Sequence, residues 1–412
     1  MSGIVLSASV RQNLLSLQST ADLLATTQNR LSTGKKVNTA LDNPTNYFTA
    51  QGLDNRASDI SNLLDGIGNG VQVLQAANTG ITSLQKLVDT AKSIANQVLQ
   101  APTGYSVKAS ATSLAPTGAG ALSVAGTAAD LTNAGTNSLA TKTFIFTPAA
   151  GAATTITLGT GAGNVNSIAA FNTALSAAGL GLTASLASDG SITLTSSNDN
   201  ASQILTTGTT AAANTIAISG TDTAALVTPT GGVAGQPLAD AASQTIRANL
   251  VSQYNNVIQQ ITTTSQDASF NGINLLNGDD LKLTFNETGK STLNIAGVTF
   301  DAAGLGLASL TAGTDFLDSA SANATIAKIS SASDALRTEA STLGSNLSIV
   351  QIRQDFSKNL INVLQTGSAN LTLADTNEEA ANSQALATRQ SIAVSALALA
   401  NQSQQSVLQL LR

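Results

Sequence analysis

The sequence has no cysteine, no histidine and no tryptophan, and its single methionine is Met1. Without a thiol there is no disulfide framework, cysteine nucleophile, zinc ribbon or iron–sulfur cluster. Without imidazole there is no Ser–His–Asp triad, no histidine acid–base group and no HExxH zinc-protease motif. Charge is scarce too. Lys and Arg number 18 against 24 Asp and Glu, a net charge of −6, and 10% of the 412 residues are charged where roughly 25% is usual. Lys35–Lys36 is the one adjacent basic pair, so nothing tracks a nucleic-acid backbone. No apolar run approaches the roughly 20 residues of a membrane span; Ile392–Ala400 is interrupted by Ser395. The opening MSGIVLSASVRQN lacks the basic start and long apolar stretch of a secretory signal.

These absences leave carboxylate sites and glycine-rich loops to be weighed. GTGAG (159–163) and GIGNG (66–70) miss the GxGxxG spacing, and a P-loop ending at Gly34–Lys35 would need glycine where Asn29 stands. Asp279–Asp280 falls at a hairpin entrance and Glu378–Glu379 in the first turn of the last helix, so both pairs read as solvated or capping residues. NDN at 198–200 is followed by no EF-hand spacing. The expectation is no enzyme, no cofactor and no metal.

What is present is helix and repetition. Residues 1–100 and about 236–412 are rich in Leu, Ile, Gln, Asn, Ser and Ala, and read as helical arms. Between them, residues 101–235 are rich in Thr, Ala and Gly and carry six charges: Lys108, Asp130, Lys142, Asp189, Asp199 and Asp222. Pro102 and Pro116 open this stretch, and Pro229, Gly231–Gly232 and Pro237 close it, as domain borders do. Sparse charge weakens the self-repulsion that keeps proteins monomeric, which suits a subunit of something larger.

The arms repeat every seven residues. Val10, Leu17, Leu24 and Leu31 form one row with Leu14 beside it; after Asn43–Pro44 come Ile60, Ile67, Leu74, Ile81 and Val88. Toward the other end stand Ile329, Leu336, Leu343, Val350 and Leu364, with Ser357 in the missing slot. The last stretch gives Leu386, Ala393, Ala400 and Val407, with Leu397 and Leu411 alongside. Such repeats keep one apolar seam toward a partner helix, the signal of a coiled coil; a single run fits an amphipathic bundle helix equally well. Gly66, Gly68 and Gly70 interrupt the second arm as close-packing or bending positions, or as a short break in the helix. Residues 281–285 and 292–295 alternate as a β-hairpin. In the middle, strands around 144–146 and 154–158, a helix over 165–178, and strands at 180–186 and 192–194 joined by an Asp189–Gly190 turn make an α+β unit. The expected fold is mainly α with an α+β insert.

Three segments carry a family likeness. NRLSTGKKVNTALDNPTNYFTAQGL (29–53) closely resembles the amino-terminal signature of bacterial flagellin, the filament subunit. SALALANQSQQSVLQLLR (395–412) is similar to the family's terminal helix, and FNGINLLNG (270–278) to the turn leading into its hairpin. The likeness covers 1–100 and about 236–412 and is to the alphaproteobacterial type. It implies long antiparallel coiled-coil helices from both termini. Residues 1–40 and 376–412 would form the innermost helical domain, 41–100 and 236–375 a rod-like helical domain with the hairpin, and 101–235 an outer variable α+β domain. A 40-residue arm would span about 60 Å. The resemblance further implies self-assembly into an extracellular helical filament for swimming motility, type III export, and partnership with the export apparatus, an export chaperone, and hook-associated junction and cap proteins. Many relatives place the variable domain after the hairpin; here the insertion falls between Gln100 and Asp240. Aligning LQKLVDTAKSIANQ (84–97) on the family's receptor-recognition stretch puts Val88 where receptor-activating members carry a key arginine, so weak or no activation of the animal innate-immune flagellin receptor is expected. The alternatives are a hook-associated junction protein, separated by failure to elongate filament seeds, and a surface adhesin that binds through the Ser/Thr-rich middle.

Overall fold

The computed structural model describes residues 8–113, 141–159, 161–187, 191–220, 224–226 and 234–410. The Asp189–Gly190 turn, Leu411, and the border signals at Pro116, Pro229 and Gly231–Gly232 lie outside the described residues. The helices are α1 (Ala8–Thr33), α2 (Pro44–Gln100), α3 (Ile168–Ala177), α4 (Ala241–Asp267), α5 (Ser319–Thr372) and α6 (Thr376–Leu410). Among the described residues, the strands between α2 and α4 are β1 (Tyr105–Val107), β2 (Ser110–Ser113), β3 (Thr143–Pro148), β4 (Thr154–Thr157), β5 (Leu182–Leu186), β6 (Ile192–Ser196), β7 (Ile204–Thr207), β8 (Thr215–Gly220), β9 (Ala224–Leu226) and β10 (Leu238–Ala239). The hairpin is β11 (Leu281–Thr284) with β12 (Thr292–Ile295), paired antiparallel with Leu281 opposite Ile295 and Leu283 opposite Leu293.

The helices start where side chains take up free N–H groups. Asn43 Oδ1 accepts from the Asn46 N–H at 3.0 Å, with Pro44 in the first helical position where its missing donor costs nothing. Asp240 caps α4 through the Ser243 N–H at 3.0 Å, and Asp318 caps α5 through the Ser321 N–H, also at 3.0 Å. Helix α3 begins at Ile168 rather than at Val165, because Ser167 is extended and accepts from the Ala170 N–H. Helix α1 stops at Thr33, where Gly34 turns the chain at φ +68°.

The chain divides into two compact units. One holds the described parts of Met1–Gln72, Leu281–Ile295 and Asn346–Arg412; the other holds those of Val73–Asp280 and Ala296–Ser345. In the first, α1 packs along α6. Their inner ends meet at a two-stranded clamp: Lys36 N–H and Val37 N–H donate to Thr372 O at 2.7 and 3.3 Å, and Ala374 N–H donates to Gly34 O at 3.0 Å. Because α1 ends and α6 begins at that clamp, the two helices run antiparallel. Ala57 and Ile60 of α2 meet Leu364 of α5 in a small core closed by Leu53, Leu360 and Ile361. The hairpin lies on this pair. Leu283 sits directly over Gly70, Arg56 Nε reaches Glu287 Oε1 at 2.8 Å, and the Arg353 guanidinium stacks on the Phe285 ring. Helix α2 therefore runs unbroken through the glycines.

In the second unit, Gly80 of α2 lets Ala268 and Leu276 approach the helix. Buried Arg247 of α4 donates to Ala101 O, Pro102 O and Phe316 O at 3.4, 3.0 and 2.8 Å, satisfying carbonyls just beyond the end of α2. Asn274 shapes the turn after α4: its Nδ2 donates to Ser265 O and Gln266 O, and its Oδ1 accepts from the Leu276 N–H.

The insert leaves and rejoins the helices through β1 paired with β10, and builds two four-stranded sheets. Their orders are β5-β6-β2-β9 and β4-β3-β8-β7; β7 and β8 run parallel and the other neighbouring strands antiparallel. The β3–β4–α3–β5–β6 series agrees with the sequence reading, while β2, β7, β8 and β9 are additions to it. Phe144, Phe146 and Phe171 cluster with Leu175, Leu194, Leu205, Ile216 and Ile218 in the insert's core.

Candidate assembly surfaces

The seam residues divide by helix. On α2, Ile60, Ile67, Leu74, Ile81 and Val88 are all buried, as are Ile329, Leu336, Leu343 and Val350 of α5. Ser357, in the slot where the repeat lacks a hydrophobe, is buried too, and Ile60 and Leu364 share one cluster. Along α1, Val10 is buried and Leu17 and Leu24 are half-buried, but Leu14 and Leu31 are 46% and 40% exposed. On α6, Leu386 and Leu397 are half-buried; Val407 lies within the helix, with its side chain outside the described set. Two helices offer each other one stripe apiece, so residues flanking that stripe stay open.

The seven-residue rows and their companions do not include a further apolar row on α5. Ile349, Phe356 and Val363 each stand one residue before a buried seam residue, about 100° around the helix from it, with Ile352 farther round, and Ile352, Phe356 and Val363 are 66%, 59% and 67% exposed. Leu15 and Leu23 of α1, Ile392, Val394 and Leu399 of α6, and Phe48 near the start of α2 are open as well. Leu15, Leu23, Gln18, Ser19, Asp22 and Thr26 line a shallow groove on α1. The spacing of the α5 row is legible in the sequence; the burial of one row rather than the other is not.

Electrostatics around the helix junctions is structural. Glu379, read from sequence as a solvated or capping acid, is buried and pairs with Arg30 at 3.2 Å, tying the end of α1 to the start of α6. The Arg30 Nε beside it is buried and has no partner among the described residues. Asp42 accepts the Thr39 and Asn38 N–H groups at 2.8 and 2.9 Å, and these bonds hold its carboxyl below the usual carboxylate value. The Ser243 hydroxyl and N–H do the same for Asp240. Burial lowers the Arg247 pKa, raises the Glu339 pKa, and pushes the Tyr254 phenol up to about 12, with Asp315 adding to the last shift. Asp279 and Asp280 accept the Asn274 and Gly297 N–H groups and so brace the hairpin entrance. A polar cleft lined by Asn200, Gln203, Asn214 and Asp318 has its one acid engaged with Ser202 and Ser321. Among the described residues no three His, Cys, Asp or Glu gather as metal ligands, and no helix is long and apolar enough to cross a membrane.

Comparison with known proteins matches the two ends. The pattern of the bacterial flagellin N-terminal helical region fits residues 5–140, and that of the bacterial flagellin C-terminal helical region fits residues 326–411. The chain is similar to flagellin FljM of Caulobacter vibrioides, 34% identical over 165 residues, which are 40% of this chain and 59% of that protein. Flagellin FljK of the same organism is 33% identical over the same shares. Flagellin A of Rhizobium meliloti is 37% identical over 90 residues, 22% of this chain and 23% of that protein. The match thus spans 59% of the length of the Caulobacter relatives. Both terminal regions carry the family's patterns and the relatives share one bacterial lineage, so the chain belongs to the bacterial flagellin family, in its alphaproteobacterial form.

Proposed function

We propose that this chain is a structural subunit that polymerises with copies of itself into the helical flagellar filament, outside the cell, to drive swimming. The observation that carries the reading is the second apolar row on α5, together with the open leucines of α1 and α6. Fully burying a side chain of this size stabilises by about 1.5–3 kcal/mol, so covering several of them by neighbours drives association. Contacts between different faces of successive copies generate a helix rather than a ring when the rotation between copies does not close. In this arrangement residues 1–40 and 376–412 line the central channel, 41–100 and 236–375 surround them, and 101–235 project outward. Export through the flagellar type III apparatus, an escorting chaperone, and junction and cap proteins complete the partner set.

Seeded growth of purified protein tests the reading. Wild type should elongate filament seeds, whereas Leu24→Asp or Leu397→Asp should block elongation and leave the insert folded. Failure of wild type on competent seeds would transfer the chain to the junction role. Val88 is fully buried, so the position aligned with the receptor-contacting arginine presents neither charge nor surface. Weak signalling in receptor-reporter cells should follow; full potency would sink that part of the proposal.

A further inference from the structure

The insert exposes β-sheet while carrying almost no charge. A sheet edge presents unpaired N–H and C=O groups that template pairing with another chain, and proteins commonly blunt such edges with lysine, proline or bulges. None of β4 (TTIT), β5 (LTASL) or β7 (ILTT) carries a charge or a proline. Each has a local cover instead. On β4, Val165 donates its N–H to Thr157 O at 2.9 Å and accepts from the Gly159 N–H at 2.8 Å. On β7, the Leu205 N–H donates to Gly235 O at 2.8 Å.

On β5 the cover is a side chain. Asn172, on α3, donates from Nδ2 to Ala184 O at 2.9 Å and accepts at Oδ1 from the Ala184 N–H at 2.6 Å. Ala184 is the middle residue of β5, which among the described residues stands at the end of its sheet with β6 as its one strand neighbour. One carboxamide makes the two bonds that a further strand would exchange with that residue. Aspartate in its place would lack the donor, and glutamine would reach too far.

We propose that Asn172 masks the edge of β5 and keeps copies of the insert from pairing strand to strand. Charge repulsion is not available to do this, because four of the insert's six charges are acids spread over 101–235 and two are lysines that offset them. The mask stands on its own geometry. The crowding that makes it consequential, one insert per subunit, rests on the filament reading.

Sedimentation velocity on the free full-length chain, without seeds, tests the mask in wild type, Asn172→Ala, and Asn172→Ala combined with Ser185→Lys. Ser185 is an exposed position on β5, where a lysine should repel an incoming strand. The expected result is self-association of Asn172→Ala severalfold above wild type and its reversal by Ser185→Lys. Exchange of the Ala184 amide, freed from its partner, should rise about tenfold or more. A variant that stays in the wild-type state with its Ala184 amide freed would overturn the proposal. Association that Ser185→Lys leaves unchanged would overturn it too, since it would then arise from unfolding or from another surface. No step needs a filament, so failure of the polymer reading would show separately, in seeded growth.

Discussion

Gly66, Gly70 and Gly80 all lie within α2, and the space around each assigns it a different role. A Cβ on Gly66 would meet nothing within 4 Å. On Gly70 it would clash with Leu283 Cδ2, and on Gly80 it would come within 2.6 Å of Ala268 Cβ and 2.7 Å of Leu276 Cδ1. Gly66→Ala should therefore stabilise the chain by up to about 1 kcal/mol, the helix-propensity difference. Gly80→Ala should destabilise it by about 1–3 kcal/mol, because the atoms it meets include a Cβ fixed to its own backbone. Urea unfolding of the two variants checks this directly; equal shifts of one sign would refute it. These roles were not legible in the sequence, where Gly66 and Gly70 suit packing, bending or a break alike and nothing marks Gly80. Arg247 was hidden for a related reason: nothing local marks an arginine whose three carbonyl acceptors come from the end of α2 and the loop before α5.

At the scale of elements, what the sequence reveals follows period and length. The seven-residue rows located the long helices, and the alternation over 281–285 and 292–295 located the hairpin. Strands such as β2 (SATS) and β7 (ILTT) have too few large apolar residues to show a period, and long-range pairing alone makes them strands. The clamp between residues 34–37 and 372–374 joins segments far apart in sequence, as does the half-buried Arg30–Glu379 pair. Capping is where an element responds to pH. Asp42 and Asp240 have folded pKa values below 3.8, so the unfolded chain binds their protons first as pH falls. Their contribution is complete above that value and disappears as pH drops through the folded pKa. Urea midpoints measured from about pH 5 to about pH 2 should fall less steeply for Asp240→Asn, which keeps a capping oxygen but cannot titrate. An unchanged slope would show that the α4 cap plays no part in acid unfolding.

On the scale of the whole molecule, the same shortage of charge has two consequences. In the helical arms it permits two apolar rows on α5, one closed within the chain and one beside it left open. In the insert it removes repulsion as a guard, and hydrogen-bonded covers on β4, β5 and β7 take its place. The open row bears most directly on function, since Phe356 and Ile352 contribute little to the fold of the single chain at their exposure. Placing a carboxylate there should spare the monomer and prevent burial against a neighbour. The decisive measurement is seeded filament elongation by Phe356→Asp, run beside circular dichroism of the monomer. Native helix content with elongation abolished is the expected outcome. Wild-type elongation by the folded variant would contradict the assignment of this face to subunit contact.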